Sequence, residues 1–256
     1  GEGSFQISVS RVAGYEDKQD VPVLFVLDGD IGFALAAEIS RFRASRGLLS
    51  TAMIVGVGYG VEFAEFARLR TPDLTPPLSE AGKEALGGMT SLIGDQGGGA
   101  AAFLDFLVDV LRPEVTRRYP EASASQHILF GHSLGGLFTS YALLARPDAF
   151  SIFLPTSPSL WWDQFAILGH LPAFTERLAN LDRRPRVQVT VGGKEQDVPT
   201  RVPPGLQMKL ADLQAISAHA RMVDAAAEFA QSLRDAGLDD VTSIAFDGEG
   251  HGSVVP

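Results

Sequence analysis

Cysteine is absent from this sequence of 256 residues. Its absence excludes disulfide bonds, zinc sites built from thiolates, iron–sulfur clusters and a cysteine nucleophile. It leaves the cellular compartment open, because a chain without cysteine suits the cytosol and is equally tolerated in a periplasm.

Positive charge is also scarce, with 21 Lys and Arg residues against 31 Asp and Glu residues and a formal net charge of -10. Proteins that bind nucleic acid need a basic surface for the phosphate groups. We therefore do not expect nucleic acid as the main partner. The net charge favours solubility and carries no information about the number of subunits.

No apolar run reaches the ~20 residues that a membrane-spanning helix requires. The longest candidate, residues 100–111, contains Asp105 and Asp109. The start of the sequence also lacks a charged-then-apolar leader that ends in a small-residue cleavage site. We expect a soluble protein, cytoplasmic or periplasmic, without a membrane span.

Strands and helices are predicted to alternate along the chain. Short apolar runs predict buried strands at residues 21–27 and 52–58. Further strands are predicted at 4–12, 126–130, 150–154, 186–191 and 241–246, and helices at 31–46, 100–118, 134–145 and 218–236. This alternation predicts an α/β fold, with a mainly parallel central sheet and helices on both faces. The length suits a single domain over residues 1–256.

Residues 71–99 interrupt this alternation. The segment contains Pro72, Pro76 and Pro77 and two glycine clusters, and it shows no clear periodicity. A stretch of this length without periodicity is typical of a functional loop or lid. Elsewhere in the chain, we expect Pro113 to kink the helix predicted at 100–118 and Ser217 to be the N-cap of the helix predicted at 218–236.

The pattern Gly131-x-Ser133-x-Gly135 lies between a predicted strand and a predicted helix. Such a strand–turn–helix context is what the nucleophile elbow of an α/β-hydrolase requires. Ser133 is therefore the predicted nucleophile. The alternative is a glycine-rich strand–helix turn without a catalytic function.

A serine hydroxyl needs a base to accept its proton, and histidine titrates near neutral pH. The chain has five histidines: His127, His132, His170, His219 and His251. His251 follows the last predicted strand and is flanked by glycines, and it satisfies the chain order of serine, acid and histidine for this fold. We predict His251 as the base; the alternative is a histidine of a surface loop.

The acid of such a triad should follow the strand at 186–191. Glu195 is our choice, and Asp197 is the alternative acid. A Ser–His pair without a working acid also remains open. A carboxylate at this position accepts a hydrogen bond from the second ring nitrogen of the histidine and stabilises the imidazolium.

Backbone N–H groups should form the oxyanion hole. The N–H of Leu134 follows the nucleophile and opens a helix, where N–H groups point outward without intrahelical partners. The second donor should come from the loop after strand 21–27, at Gly29 or Asp30.

Seven stretches together resemble the esterase family of α/β-hydrolases that includes the catecholate-siderophore esterases. They are LDGD at 27–30, VGVGY at 55–59, RTPDLTP at 70–76, GGGA at 97–100, GHSLGG at 131–136, SPSLWW at 157–162 and GEGHGS at 248–253. The resemblance implies a serine hydrolase that cleaves carboxylic esters through an acyl-enzyme, with a siderophore ester as substrate. The alternatives are a general carboxylesterase, a carbohydrate acetylesterase and, in a different class, a binding module that has lost catalysis.

The same resemblance implies roles for individual residues. Ser133 and His251 would be catalytic, and Arg70 would bind an anionic substrate unless it forms a turn contact with Asp73. Trp161 and Trp162 would stack on a ring of the substrate, although core packing is the alternative for one of them. Neither a metal nor a cofactor is expected in the protein, because iron would arrive with the substrate.

Overall fold

The computed structural model describes residues 4–11, 18–50, 52–87, 94, 96–202 and 208–255. Its strands are β1 Gln6–Arg11, β2 Val21–Leu27, β3 Met53–Gly58, β4 Ala122–His132, β5 Ile152–Thr156, β6 Arg186–Gly192 and β7 Val241–Phe246. They form one seven-stranded sheet in the order β1-β3-β2-β4-β5-β6-β7. β1 is antiparallel to β3, and the other neighbouring pairs are parallel. The predicted mainly parallel sheet is confirmed.

Helices pack around this sheet. They are α1 Gly29–Ser45, α2 Phe63–Leu74, α3 Glu80–Leu86, α4 from Ala100–Asp105 through a π-helical Phe106–Leu111 to Arg112–Arg118, α5 Leu134–Ala145, α6 Leu171–Ala179, α7 Leu210–Ala220 and α8 Met222–Asp235. A Cβ added to Gly56 would lie 2.7 Å from Phe33 of α1. A Cβ added to Gly131 would clash with the Gly135 carbonyl of α5. Val26 pairs with Gly56 on one side and with Phe130 on the other, so Gly131 faces the side of the sheet opposite to Gly56. The predicted helices on both faces are therefore confirmed.

β4 is longer than the predicted strand at residues 126–130. Its first five residues are alanine, serine and glutamine, and residues 124–126 are exposed, so this part lacks the apolar pattern that identifies a strand. The backbone of β2 nevertheless pairs with it, since Val21 is the partner of Ala122 across an irregularity in the ladder. Pairing of backbone groups does not require apolar side chains.

The prediction of a single helix at residues 218–236 is wrong. The structure has α7 and α8, separated by Arg221 in a left-handed conformation with φ of 44°. Ser217 lies inside α7 and is not an N-cap. A left-handed residue other than glycine leaves no sequence signal, so the sequence did not reveal the break.

The segment at residues 71–99 contains more helix than its prolines suggest. α2 continues through Pro72 to Leu74, and α3 lies entirely within the segment. Residues 88–93 and 95, like residue 12 of the predicted first strand, lie outside the described residues. The lid function and the single domain over 1–256 stay predictions. Pro113 lies in the first turn of the helical stretch that follows the π-helical segment, and the expected kink there stays a prediction.

The main core lies between the sheet and the helices on the Gly131 face. Its largest fully buried side chains include Phe25, Phe138, Phe153 and Phe229, which come from two strands and two helices. Burying each such ring stabilises the fold by roughly 1.5–3 kcal/mol. Among the described residues, no helix combines the length and the apolar character needed to cross a bilayer.

We expect His127 of β4 to make the free energy of unfolding dependent on pH. Its side chain is 3% exposed, and its ring packs edge-on against Phe25. Burial, together with the nearby charge of Arg112, lowers the pKa of His127 from 6.5 to about 4. The unfolded state therefore binds more protons between these values, and the free energy of unfolding should fall by about 3 kcal/mol as the pH drops from about 6.5 to about 4.

Urea unfolding at several pH values between 7.5 and 4 measures this loss. A His127→Phe variant keeps a ring beside Phe25 but has no titrating group, so its free energy of unfolding should depend less on pH than that of the parent. An equal pH dependence in the two proteins would show that His127 is not responsible.

Candidate active site

Ser133 occupies the sharp turn between β4 and α5. Its φ of 61° and ψ of -117° lie in a strained region for a residue with a Cβ. The turn is tight because a Cβ on Gly131 would clash with the Gly135 carbonyl, and one on Gly136 would lie 2.6 Å from the Thr156 carbonyl oxygen. Glycine is therefore required on both sides of Ser133, and the motif forms an elbow that exposes the hydroxyl at the end of the strand.

His251, in the loop after β7, joins Ser133 to Glu195. His251 Nε2 lies 3.1 Å from Ser133 Oγ, and His251 Nδ1 lies 2.7 Å from Glu195 Oε2. These three residues come from the loops after β4, β6 and β7. In a parallel sheet these loops meet at the same edge. The contacts show an arrangement in which a base can accept the serine proton while a carboxylate holds its other nitrogen.

Glu195 is held firmly on the far side of His251. Its carboxylate accepts the Gly192 N–H at 2.7 Å and the hydroxyl of the buried Ser157, and the side chain is 1% exposed. Burial raises the pKa of this carboxyl, but the hydrogen bonds from His251, Ser157 and Gly192 outweigh burial and lower the pKa overall. Glu195 is therefore ionised at neutral pH. The alternative acid, Asp197, is exposed, and the contact to His251 Nδ1 belongs to Glu195.

His132 supports the loop that carries His251. Its Nε2 lies 2.8 Å from the His251 carbonyl oxygen, and the two rings are 4.6 Å apart. Burial and the neighbouring His251 lower the pKa of His132 to about 4. The ring is neutral at pH 7, and Nε2 must carry the proton in order to donate to a carbonyl. Sequence reasoning missed this role, because the contact joins residues far apart along the chain.

The predicted oxyanion donors lie at the beginnings of two helices. Leu134 begins α5, and Gly29 and Asp30 begin α1. β2 and β4 are parallel neighbours, so both helices start at the same edge of the sheet. The Asp30 carboxylate accepts the N–H groups of Tyr59 and Gly60 at 2.7 and 2.6 Å, which fixes the loop that carries the donors. The oxyanion role itself stays a prediction.

Arg70 is placed differently from its predicted role. Its Nε and Nη2 donate to the two oxygens of Asp28 at 2.7 and 2.5 Å, and Nη2 also lies 3.4 Å from the His132 carbonyl oxygen. The Arg70 and Asp28 side chains are only 12% and 7% exposed. The predicted contact with Asp73 is wrong, since Asp73 accepts the hydroxyl of Tyr59. Arg70 is thus the buried counter-charge of Asp28, and an anionic substrate would have to compete with that pair.

The two tryptophans are separated by the fold. Trp162 is 2% exposed and donates from its indole nitrogen to the Pro76 carbonyl at 3.1 Å, so it packs in the core and cannot stack on a substrate. Trp161 is partly exposed and lines a cavity of about 120 Å³ together with Ile216 and His219. The same loop brings Ser159 Oγ to 3.5 Å from Ser133 Oγ. Trp161 remains a candidate for contact with the substrate.

A sequence model described as Putative esterase matches residues 5–236 of the chain. The chain belongs to this esterase family. It is 33% identical to a siderophore triacetylfusarinine C esterase of Aspergillus fumigatus over 98% of this chain and 84% of that protein. It is 29% identical to the ferri-bacillibactin esterase BesA of Bacillus subtilis over 99% of this chain and 81% of that protein.

Solved structures give the same result. The esterase matches siderophore hydrolase EstA from Aspergillus nidulans with a TM-score of 0.82 and 28% identity, over 98% of this chain and 85% of that one. It matches the BES protein from Bacillus cereus with a TM-score of 0.77 and 28% identity, over 99% and 86% of the two chains. The resemblance noted in the sequence is confirmed.

The buried pair of Arg70 and Asp28 should matter for the stability of the esterase. Replacing Arg70 by methionine leaves the Asp28 carboxylate buried without its counter-charge, which should lower the free energy of unfolding by about 3–5 kcal/mol. The double variant Asp28→Asn/Arg70→Met removes both charges, and asparagine tolerates the left-handed conformation of residue 28, with φ of 54°.

Urea unfolding of the parent and both variants at pH 7.5 measures these losses. The double variant should recover most of the lost stability. A loss below about 1 kcal/mol in Arg70→Met would show that water solvates the pair, as in surface ion pairs.

Proposed function

We propose that this esterase hydrolyses carboxylic ester bonds of siderophores, with Ser133 as nucleophile, His251 as general base and acid, and Glu195 as the carboxylate that orients His251. The observation that carries the proposal is the position of His251. Its two ring nitrogens lie 3.1 Å from Ser133 Oγ and 2.7 Å from Glu195 Oε2. The siderophore part of the proposal is supported by the names of the relatives, of which the chain covers more than four fifths.

In the first half of the reaction, His251 Nε2 accepts the hydroxyl proton while Ser133 Oγ attacks the ester carbonyl carbon. The carbonyl oxygen becomes an oxyanion, which the N–H of Leu134 and an N–H at Gly29 or Asp30 stabilise. Each such donor typically lowers the barrier by roughly 2.7–4 kcal/mol. The tetrahedral intermediate then breaks its bond to the alcohol oxygen, and His251 donates its proton to that oxygen. The alcohol leaves, and the acyl group stays on Ser133.

In the second half, a water molecule takes the place of the alcohol. His251 accepts a proton from this water, and the water oxygen attacks the acyl carbon. The bond to Ser133 Oγ breaks, the proton returns to that oxygen, and a carboxylic acid is released. Glu195 remains ionised in both halves, because its pKa is lowered and because its carboxylate only accepts a hydrogen bond from the Nδ1–H group of His251.

Hydrolysis assays test the substrate class. The esterase should open ferric triacetylfusarinine C or ferric bacillibactin at a higher kcat/KM than it shows for p-nitrophenyl esters or acetylated xylan, as followed by liquid chromatography and mass spectrometry. A clear preference for acetylated xylan would favour a carbohydrate acetylesterase. Hydrolysis of p-nitrophenyl esters without hydrolysis of either ferric siderophore would favour a general carboxylesterase.

A further inference from the structure

Carboxylates dominate the loops that surround Ser133. The described segments that follow the parallel strands cover residues 28–30, 59–62, 157–163, 193–202, 208–209 and 247–255. Their acidic residues are Asp28, Asp30, Glu62, Asp163, Glu195, Asp197, Asp247 and Glu249, and their basic residues are Lys194, Arg201 and Lys209. Because the carboxyl ends of parallel strands converge, these charges lie around one opening.

Arg70 does not compensate this charge. Its guanidinium is paired with Asp28 through two hydrogen bonds, and this pair is nearly buried and has no net charge. His251 is the partner of Glu195 and must be neutral to act as a base. When Asp28 and Glu195 are set aside with their partners, six carboxylates remain against the three basic residues, so the opening has a net negative charge.

Ferric complexes of tris-hydroxamates and of tris-catecholates differ in charge. Three hydroxamates carry one negative charge each, so their ferric complex is uncharged. Three catecholates carry two negative charges each, so their ferric complex is trianionic. A negative opening repels a trianion during approach and leaves an uncharged complex unaffected.

We propose that this esterase selects uncharged ferric tris-hydroxamate esters over trianionic ferric tris-catecholate esters. The selection arises from the carboxylates of the loops around Ser133 and from the pairing of Arg70 with Asp28. This inference rests on the proposed function, because it concerns which siderophore ester reaches the same site. It departs from the catecholate substrates that the sequence resemblance implies.

Two ferric esters at several ionic strengths provide the test: ferric triacetylfusarinine C as the tris-hydroxamate and ferric enterobactin as the tris-catecholate. At low salt, kcat/KM for the tris-hydroxamate should be at least roughly tenfold higher and should not change with salt. The value for the tris-catecholate should rise with salt, because the screening length falls from about 30 Å at 0.01 M to about 10 Å at 0.1 M. A preference for the tris-catecholate, or a kcat/KM for it that falls with salt, would overturn the charge selection.

A charge reversal isolates the cause. Asp247 is exposed in the loop after β7, whereas Asp182 is exposed just before β6, at the opposite edge of the sheet. Asp247→Lys should raise kcat/KM for the tris-catecholate several-fold at low salt and should leave hydrolysis of the tris-hydroxamate and of p-nitrophenyl acetate within about twofold. Asp182→Lys makes the same change in net charge and should alter none of them.

The outcomes separate the inference from the proposed function. If p-nitrophenyl acetate is hydrolysed but neither ferric ester is, the siderophore function fails, and the charge selection fails with it. If both ferric esters are hydrolysed and Asp247→Lys has no more effect than Asp182→Lys, only the charge selection fails.

Discussion

Replacing Ser133 by alanine is expected to lower kcat for ester hydrolysis by roughly a millionfold, as removal of the nucleophile does in serine hydrolases with a working triad. The loss should be this large because, in the proposed mechanism, the hydroxyl oxygen of Ser133 forms the acyl-enzyme, and neighbouring Ser159 should not replace it. Ser159 Oγ lies 3.5 Å from Ser133 Oγ, but the contact to His251 Nε2 belongs to Ser133.

A fluorophosphonate probe gives a direct reading of the same prediction. The parent should be labelled on Ser133, and Ser133→Ala should remain unlabelled while unfolding at the same urea concentration. Ser159→Ala is the matched control, because it removes a hydroxyl from the same site and should keep the labelling. Labelling of Ser133→Ala, or undiminished hydrolysis by it, would refute Ser133 as the nucleophile.

Replacing Glu195 by glutamine is expected to lower kcat by roughly ten-thousandfold, the effect of removing the charge of a triad acid while keeping its shape. Glutamine can still accept hydrogen bonds from Gly192 and Ser157, so the loop should keep its position. The amide has no charge, however, to stabilise the imidazolium of His251 in the transition state. The effect should therefore appear in kcat more than in KM.

Asp197→Asn is the matched control for this variant. Asp197 lies two residues from Glu195 but is exposed, and the carboxylate that contacts His251 in the structure is that of Glu195. We expect Asp197→Asn to hydrolyse esters at nearly the parental rate. If Glu195→Gln keeps that rate, the site works as a Ser–His pair; if Asp197→Asn loses it, the acid has been assigned to the wrong residue.

Much of the fold could be predicted from local sequence. The bounds of β2, α5 and β7 agree with the predicted ones, because an apolar run or a regular apolar period begins and ends at the same residues as the element. The break at Arg221 could not be predicted, since an arginine in the left-handed conformation leaves no signal in the sequence. α3 was missed because it is short and lies among prolines.

Part of the candidate site could be predicted from sequence, and part could not. Ser133, Glu195 and His251 could be nominated from sequence, because the fold prescribes their order along the chain and the loops that carry them. The pairing of Arg70 with Asp28 could not, because the two residues are 42 positions apart and only the folded chain brings them together. Similarly, Trp161 and Trp162 are neighbours in sequence, and only the packing decides which of them is buried.

The contacts of His132 have a consequence for how the esterase could be altered. Its carbonyl accepts Arg70 Nη2, and its ring donates to the loop of His251. Arg70 in turn holds Asp28, next to the residues that begin α1. His251, the proposed general base, and the proposed oxyanion donors are thus connected through the same contacts. A substitution in α2 that displaces Arg70 should therefore disturb proton transfer and charge stabilisation together. Laboratory evolution of this enzyme should accept changes in the outer loops far more readily than changes along that line.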